Sequence, residues 1–302
     1  MKVLVSGSSG LIGSALLPTL SMAGHTVGRL VRPGKTAAPG DVSWDPAEGR
    51  IDLASLEGFG AVVHLAGENI AAGRWTPGRK QRIRDSRVKS ARLLAESLAA
   101  LARPPRLLVA ASAIGFYGDR GDEVLTEESP AGSGFLPDVC RAWETATAPA
   151  AQKGIRVVNL RFGMVLAADG GALKMMLPAF KLGLGGPLGS GRQWVSWITR
   201  DDVLGIIQYA IADEGLRGPV NAVAPEPATN CDFSRALGRV LHRPTAMTVP
   251  AFLLRLVLGE MADGLLLASD RAYPSKLKVS EYRFLYPELD SALRSLLRPT
   301  RK

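Results

Sequence analysis

Short apolar runs broken by glycine recur along this chain, and the first is the sharpest. Val3, Leu4 and Val5 lead into Gly7, Gly10 and Gly13, while Leu11, Ile12, Ala15, Leu16, Leu17 and Leu20 recur at helical spacing. That order predicts a buried strand, a glycine turn and a helix ending near Gly24. In such a turn one glycine makes the bend, one lets backbone approach a pyrophosphate and one packs the helix closely. The anion rests on the exposed N–H groups of the helix start. The spacing is G-x-x-G-x-x-G rather than the G-x-G-x-x-G dehydrogenase fingerprint, but its place between buried strand and helix marks a dinucleotide-binding turn.

The same alternation continues. His25 to Val31 reads as a second strand ending at Arg32, Pro33 to Gly49 as a turn-rich connection, and Ala61 to Leu65 as a third strand opening into Ala66 and Gly67. A loop over 68–78 precedes a long helix from Arg79 to Leu101, whose apolar stripe is Ile83, Val88, Leu94, Leu98 and Leu101. Its charges are read as solvated. A fourth strand, Arg106 to Ala111, delivers Ser112 and the segment ending in Tyr117 and Gly118; a helix over 136–152 and a fifth strand over 155–162 follow. The polar stretch from Asp119 to Gly134 reads as a substrate loop or lid, or as a solvated acidic loop.

From Gly170 the chain changes character. Gly170–Gly171 and Gly183–Gly191 bracket an apolar segment and lead into an alternating run, Gln193 to Ile198, whose two tryptophans are expected on one face. Thr199 or Asp201 caps a helix to Ala212, 220–223 is a strand, and Thr229 with Asp232 opens a helix to Leu241. Apolar helical stretches complete the chain. The fold expected is a doubly wound, Rossmann-type parallel α/β sheet over residues 1–165, rejoined by 192–223, with a smaller C-terminal α/β substrate lobe from 166–191 and 224–302.

Chemistry follows from position. Ligands of a doubly wound sheet lie across the carboxyl ends of the strands, so Leu65, Ala66 and Gly67 are placed to present backbone to a cofactor. An acid at the end of the second strand would hold a ribose 2′-hydroxyl; Arg32 suits the 2′-phosphate of NADP instead. His64 lies inside its strand and reads as a satisfied structural histidine. Ser112 and Tyr117 lie where a substrate carbonyl or hydroxyl could be hydrogen-bonded, though a turn cap and a packed ring would explain them equally.

Composition narrows the partners. In 302 residues, 46% are hydrophobic and 22% charged, which fits a packed globular chain with a large core. Basic residues exceed acidic ones by 37 − 28 = 9, but they are scattered apart from Arg74 to Arg92 and the tail Arg298 to Lys302. With aromatics at 6%, no basic stripe interleaved with stacking rings is present, so no nucleic-acid partner is expected. Two cysteines and three histidines, sharing no motif, support neither a disulfide framework nor a metal site. The apolar start is interrupted by Ser6 to Gly10, unlike a signal peptide, and no run approaches the ~20 residues of a membrane span. A cytoplasmic protein with a small-molecule substrate and no membrane partner is the expectation; a homodimer is left open.

Assembled, the chain resembles the extended, atypical branch of the short-chain dehydrogenase/reductase superfamily, and more narrowly its NAD(P)-dependent epimerase/dehydratase-type epimerase family proteins. The resemblance is carried by Ser6 to Gly13, His64 to Gly67, Asp85 to Val88, Ser112 to Gly118, Arg161 to Leu166, Gly183 to Trp194, Ala224–Pro225 and Gly259 to Ala262, and covers nearly the whole chain. It implies that Gly7, Ser9, Gly10, Leu11, Ile12 and Gly13 hold the pyrophosphate of NADP(H). It further implies that Arg32 takes the 2′-phosphate, that Leu65 and Ala66 flank the adenosine half, and that Arg87 on the long helix contacts the cofactor rather than solvent.

The resemblance breaks at the catalytic pair. The superfamily uses a tyrosine and, four residues on, a lysine that lowers its pKa. This chain has no Tyr-x-x-x-Lys; setting the register on Arg141 to Glu144 puts Leu136 and Cys140 at those positions. Tyr117 could act as acid/base only if a nearby charge, such as an arginine, tuned it. Two functions are therefore expected to compete: an NADP-dependent oxidoreductase or epimerase-like enzyme, and a catalytically degenerate, NADP-responsive regulatory protein. Some members of the family are described as cell-division inhibitors.

Overall fold

Branched and apolar residues that alternate or run together in the sequence pair up into one sheet in the computed structural model, which describes residues 1–34 and 37–298. Its strands are β1 (Lys2–Ser6), β2 (Thr26–Val31), β3 (Val42–Asp45), β4 (Arg50–Ile51), β5 (Ala61–His64), β6 (Leu107–Ala113), β8 (Arg156–Phe162) and β12 (Gly218–Ala222). Short pairs lie outside it: β7 (Val124–Leu125) with β14 (Arg271–Ala272), β9 (Met164–Leu166) with β11 (Trp197–Thr199), and β10 (Trp194–Val195) with β13 (Ala228–Thr229). The helices are α1 (Gly13–Met22), α2 (Pro77–Ala100), α3 (Phe135–Thr145), α4 (Ala148–Gln152), α5 (Gly171–Lys181), α6 (Arg200–Ala212), α7 (Asn230–Leu241), α8 (Ala251–Leu258), α9 (Glu260–Ala262), α10 (Ser275–Val279) and α11 (Leu289–Leu297).

The main sheet runs β12-β8-β6-β5-β1-β2-β3-β4, and every neighbouring pair is parallel except β3 with β4. The chain leaves β1 towards β2 and later returns to its other side with β5, so the order reverses there and a crevice opens beyond Ser6 and His64. One face is covered by α1 and α6 through Leu16, Leu20, Val203 and Ile207; the other by α2 and α4 through Leu94, Leu98 and Ala150. A separate core joins α5, α7 and α11 through Leu177, Phe180, Phe233, Leu237 and Leu293.

Four expectations change. The connection over 33–49 contains β3, because Val42 and Trp44 alternate inward, and β4 folds back on it. The single helix over 136–152 is two: Thr147 donates its hydroxyl to the Glu144 carbonyl at 2.7 Å, and Pro149 has no N–H to continue the ladder. The tryptophans do not share a face. They are an odd number of residues apart, so pleating turns them opposite ways: Trp197 is fully buried, while half-buried Trp194 donates to Asp122 and lies 4.2 Å under the Arg271 guanidinium. The polar stretch after Tyr117 is pinned rather than free: Leu125 is buried, and the buried Glu127 carboxylate accepts the Asn221 and Lys276 N–H groups. The basic tail beyond Arg298 lies outside the described residues.

Candidate functional site

The crevice at the ends of β1 and β5 is built from glycine. Gly7 has φ 68°, and a Cβ there would lie 2.7 Å from the Leu65 carbonyl, so it makes the turn and lets it touch the neighbouring strand. A Cβ on Gly13 would lie 2.2 Å from the Gly7 carbonyl oxygen, which fixes how closely α1 approaches the turn. Gly10 donates to the same oxygen at 3.0 Å, and Ser9 stands exposed beside it. Ile12 precedes α1 without any side-chain cap, and among the described residues the N–H groups of Leu11, Ile12 and Gly13 have no acceptor. Three open donors at a helix start form an anion cradle.

His64 closes the floor of this crevice. Its ring is fully buried, with Nδ1 2.7 Å from Ser6 Oγ and Nε2 3.1 Å from Ser90 Oγ, and burial lowers its pKa to about 4. The ring stays neutral, a structural histidine as its place in the strand suggested. The Leu65 N–H donates to Ser6 Oγ, so the same serine steers the chain into Leu65, Ala66 and Gly67.

Two arginines leave neighbouring elements near the crevice, Arg32 at the end of β2 and Arg87 beside Gly67. Register pairs Val5 with Arg29, so the chain leaves β2 at Arg32 level with the start of the glycine turn. Arg29 is engaged by Asp41, whereas exposed Arg32 has no ion pair among the described residues. Arg87 lies against Gly67, with a Cβ there 3.5 Å from its Cζ, and its guanidinium sits 5.2 Å over the Trp143 ring. It donates to the Ile83 carbonyl and, among the described residues, meets no carboxylate within 4 Å. Burial lowers its pKa, while Cys140 and Glu68 pull it back up. A half-buried cation without a counterion wants an anion.

The Ser112 and Tyr117 side is closed. Buried Ser112 donates to Glu144 Oε1 at 2.7 Å, and Glu144 in turn receives Arg161 through two bonds of 2.8 Å. Arg161 Nη1 also donates to the Tyr117 hydroxyl at 2.9 Å, and its Cζ lies 3.5 Å from the Phe116 ring centre. The Tyr117 hydroxyl donates towards Asn221 Oδ1 or the Thr126 carbonyl, at 2.7 and 2.9 Å. Burial raises the Tyr117 pKa and Arg161 only partly offsets it. The tuning arginine exists, but the phenol is 0% exposed and every polar direction around it is taken.

Leu136 and Cys140 occupy the α3 face beside this network. Leu136 packs 3.4 Å from where a Gly115 Cβ would lie, in an apolar cluster with Trp75, Ile83, Phe135 and Met261. Cys140 is buried, its thiol pushed up to about 12 by burial and by Glu144 despite Arg87. The sequence named Arg161 without a role, used the run with Trp143 and Glu144 only to set a register, and gave no sign of Asn221. An arginine interrupting an apolar strand is the one signal that a buried acid waits for it.

Among the described residues no group of His, Cys, Asp or Glu could hold a metal ion, and no helix is long and apolar enough to cross a membrane. A parallel sheet reversing at its first strand, with an uncapped helix start behind a glycine turn, defines a Rossmann-type nucleotide-binding α/β protein. The comparison with known proteins agrees: residues 3–222 match the NAD dependent epimerase/dehydratase family, and the chain belongs to it. Residues 249–296 match a domain of unknown function. An epimerase family protein of Mycobacterium bovis is 45% identical, with 96% of each chain covered. The crystal structure of the human epimerase family protein SDR39U1 with NADPH superposes with a TM-score of 0.90 at 33% identity, covering 98% of this chain and 99% of that one. A nucleoside-diphosphate sugar epimerase structure from Corynebacterium glutamicum gives a TM-score of 0.81 at 38% identity, covering 98% of this chain and 58% of that one.

Proposed function

We propose that the protein binds NADP(H) and serves as an oxidoreductase or epimerase-like enzyme of the short-chain dehydrogenase/reductase type, acting on a small polar substrate. One observation carries this: the glycine turn ends in open N–H donors, with Arg32 leaving β2 level with the turn and Arg87 beside Gly67, neither arginine having a carboxylate within 4 Å among the described residues. Gly7, Ser9, Gly10, Leu11, Ile12 and Gly13 cradle the pyrophosphate, Arg32 takes the 2′-phosphate, Leu65, Ala66 and Gly67 border the adenosine, and Arg87 holds a further anionic group of the cofactor. The bound nicotinamide supplies or accepts hydride. Residues 166–191 and 224–302 form the substrate lobe. In this reading Ser112 and Tyr117 act by position: their hydroxyls hold Glu144 and Arg161 in place, and neither moves a proton to substrate, because both are buried and fully bonded.

A second reading, an NADP-responsive regulatory protein, is favoured by Leu136 and Cys140, which place a hydrocarbon and an un-ionised thiol where the superfamily has its acid/base pair. Titrating NADPH and NADH against intrinsic tryptophan fluorescence, then screening carbonyl and nucleotide-sugar compounds for consumption of NADPH, separates the two. Tight NADPH binding with turnover supports the enzyme; tight binding with no turnover across a broad screen supports the regulator. Equal affinity for NADH removes the role of Arg32.

A further inference from the structure

α8 carries the sequence AFLLRLVL, and none of its residues is buried. Phe252, Leu256 and Val257 stand 65%, 70% and 66% exposed on one side of it. The surface does not stop there. The loop after α5 runs alongside the segment before α8: Gly183 packs on Pro244, Gly186 on the Met247 carbonyl, and Leu188 bridges to Val249. This neighbour adds exposed Leu182, Leu184 and Met247 to the strip. Six large apolar side chains in adjoining segments exceed what scattered surface hydrophobes explain and mark a contact surface.

What covers the strip is decided by its border. Pro244 and Thr245, three and two residues before Met247, also line a hollow of about 530 Å³ whose other walls are Arg235, Gly238, Arg239, His242 and Arg243. Arg235 and Arg239 reach Asp232 and Asp290; Arg243 donates only to the Lys181 carbonyl, with no acid within 4 Å among the described residues. An apolar strip ending in a basic hollow matches the two layers of an anionic bilayer, acyl chains beside phosphate headgroups.

We propose that this face docks the protein on an anionic phospholipid surface, the apolar side chains of α8 and the 182–184 loop entering the interface and the Arg235–Arg243 hollow receiving a phosphate headgroup. No spanning segment is required for such docking.

Co-sedimentation with vesicles of phosphatidylcholine alone, and of phosphatidylcholine mixed with phosphatidylglycerol, tests it. Wild type pellets with the mixed vesicles at low salt, and the bound fraction falls as salt rises. Phe252→Asp/Leu256→Asp abolishes binding, and Arg235→Glu/Arg243→Glu weakens it roughly tenfold or more. All four side chains are exposed, so both variants keep wild-type circular dichroism. Failure to pellet with the mixed vesicles, equal pelleting with phosphatidylcholine alone, or indifference to both variants overturns the proposal. So does a dimer in solution that Phe252→Asp/Leu256→Asp disperses while vesicle binding persists, or a strip that binds an acidic protein but no vesicle.

Discussion

A methyl group at position 13 would sit 2.2 Å from the Gly7 carbonyl oxygen, so Gly13→Ala must displace either the turn or the start of α1. Overpacking of this kind costs about 1–3 kcal/mol, and urea unfolding should show that loss together with weaker NADPH binding. Arg32→Ala acts differently. The residue is exposed and has no ion pair among the described residues, so stability should hold while the NADPH dissociation constant rises by roughly one to two orders of magnitude and that for NADH does not move. His64 makes a third test, through pH. Its pKa falls from 6.5 to about 4 on folding, so below about pH 6.5 the unfolded chain binds a proton that the folded chain refuses. Stability should therefore decline as pH drops from 6.5 towards 4, by on the order of 3 kcal/mol, and the slope should flatten in His64→Asn.

At the scale of elements, α3 shows how one helix face can be rededicated. Positions 136, 140 and 144 lie one turn apart, and here they hold a packed leucine, a buried thiol and a carboxylate. That carboxylate ties α3 to β6 through Ser112 and to β8 through Arg161, with side chains only 13% and 3% exposed in the Glu144–Arg161 pair. Removing one partner of a buried pair strands the other. Arg161→Met or Glu144→Gln alone should each cost about 3–5 kcal/mol in chemical denaturation, while the double variant should cost less than the sum. A purely additive result would show that the two do not act as one unit.

For the whole molecule, the segment that leads into α2 is fastened to the C-terminal part of the chain. Arg74 donates to the Leu256 carbonyl at 2.6 Å, Lys80 pairs with Glu260 at 2.6 Å, and Gly264 lies so close to Trp75 that a Cβ would meet the ring at 2.8 Å. Arg74, Trp75 and Lys80 all come from the loop before α2 and its first turn, and α2 is also the helix that carries Arg87. Ligand binding to the native state alone should raise the melting temperature by mass action. NADPH at roughly 100-fold above its dissociation constant should add about 2.7 kcal/mol, and a thermal shift that NADH matches at equal concentration would deny the 2′-phosphate preference.

Sequence alone determined the parts of this protein that depend on neighbours along the chain. Strand, glycine turn and helix at the N-terminus, the Thr199 and Thr229 caps, and the exit of β2 at Arg32 follow from local backbone preferences and period, so they were legible before any tertiary contact was known. Tertiary structure decided whatever depends on partners distant in sequence. β3 forms because Leu30 and Val31 offer it an edge; Arg161 is a buried hub because Glu144, 17 residues back, meets it; Tyr117 is closed in because Asn221, 104 residues on, reaches its hydroxyl. Burial and hydrogen-bond satisfaction are sums over a three-dimensional neighbourhood, and no linear spacing encodes them. That is why the strand, glycine turn and helix start could be read from thirteen residues, while the burial of Ser112 and Tyr117 had to await the fold.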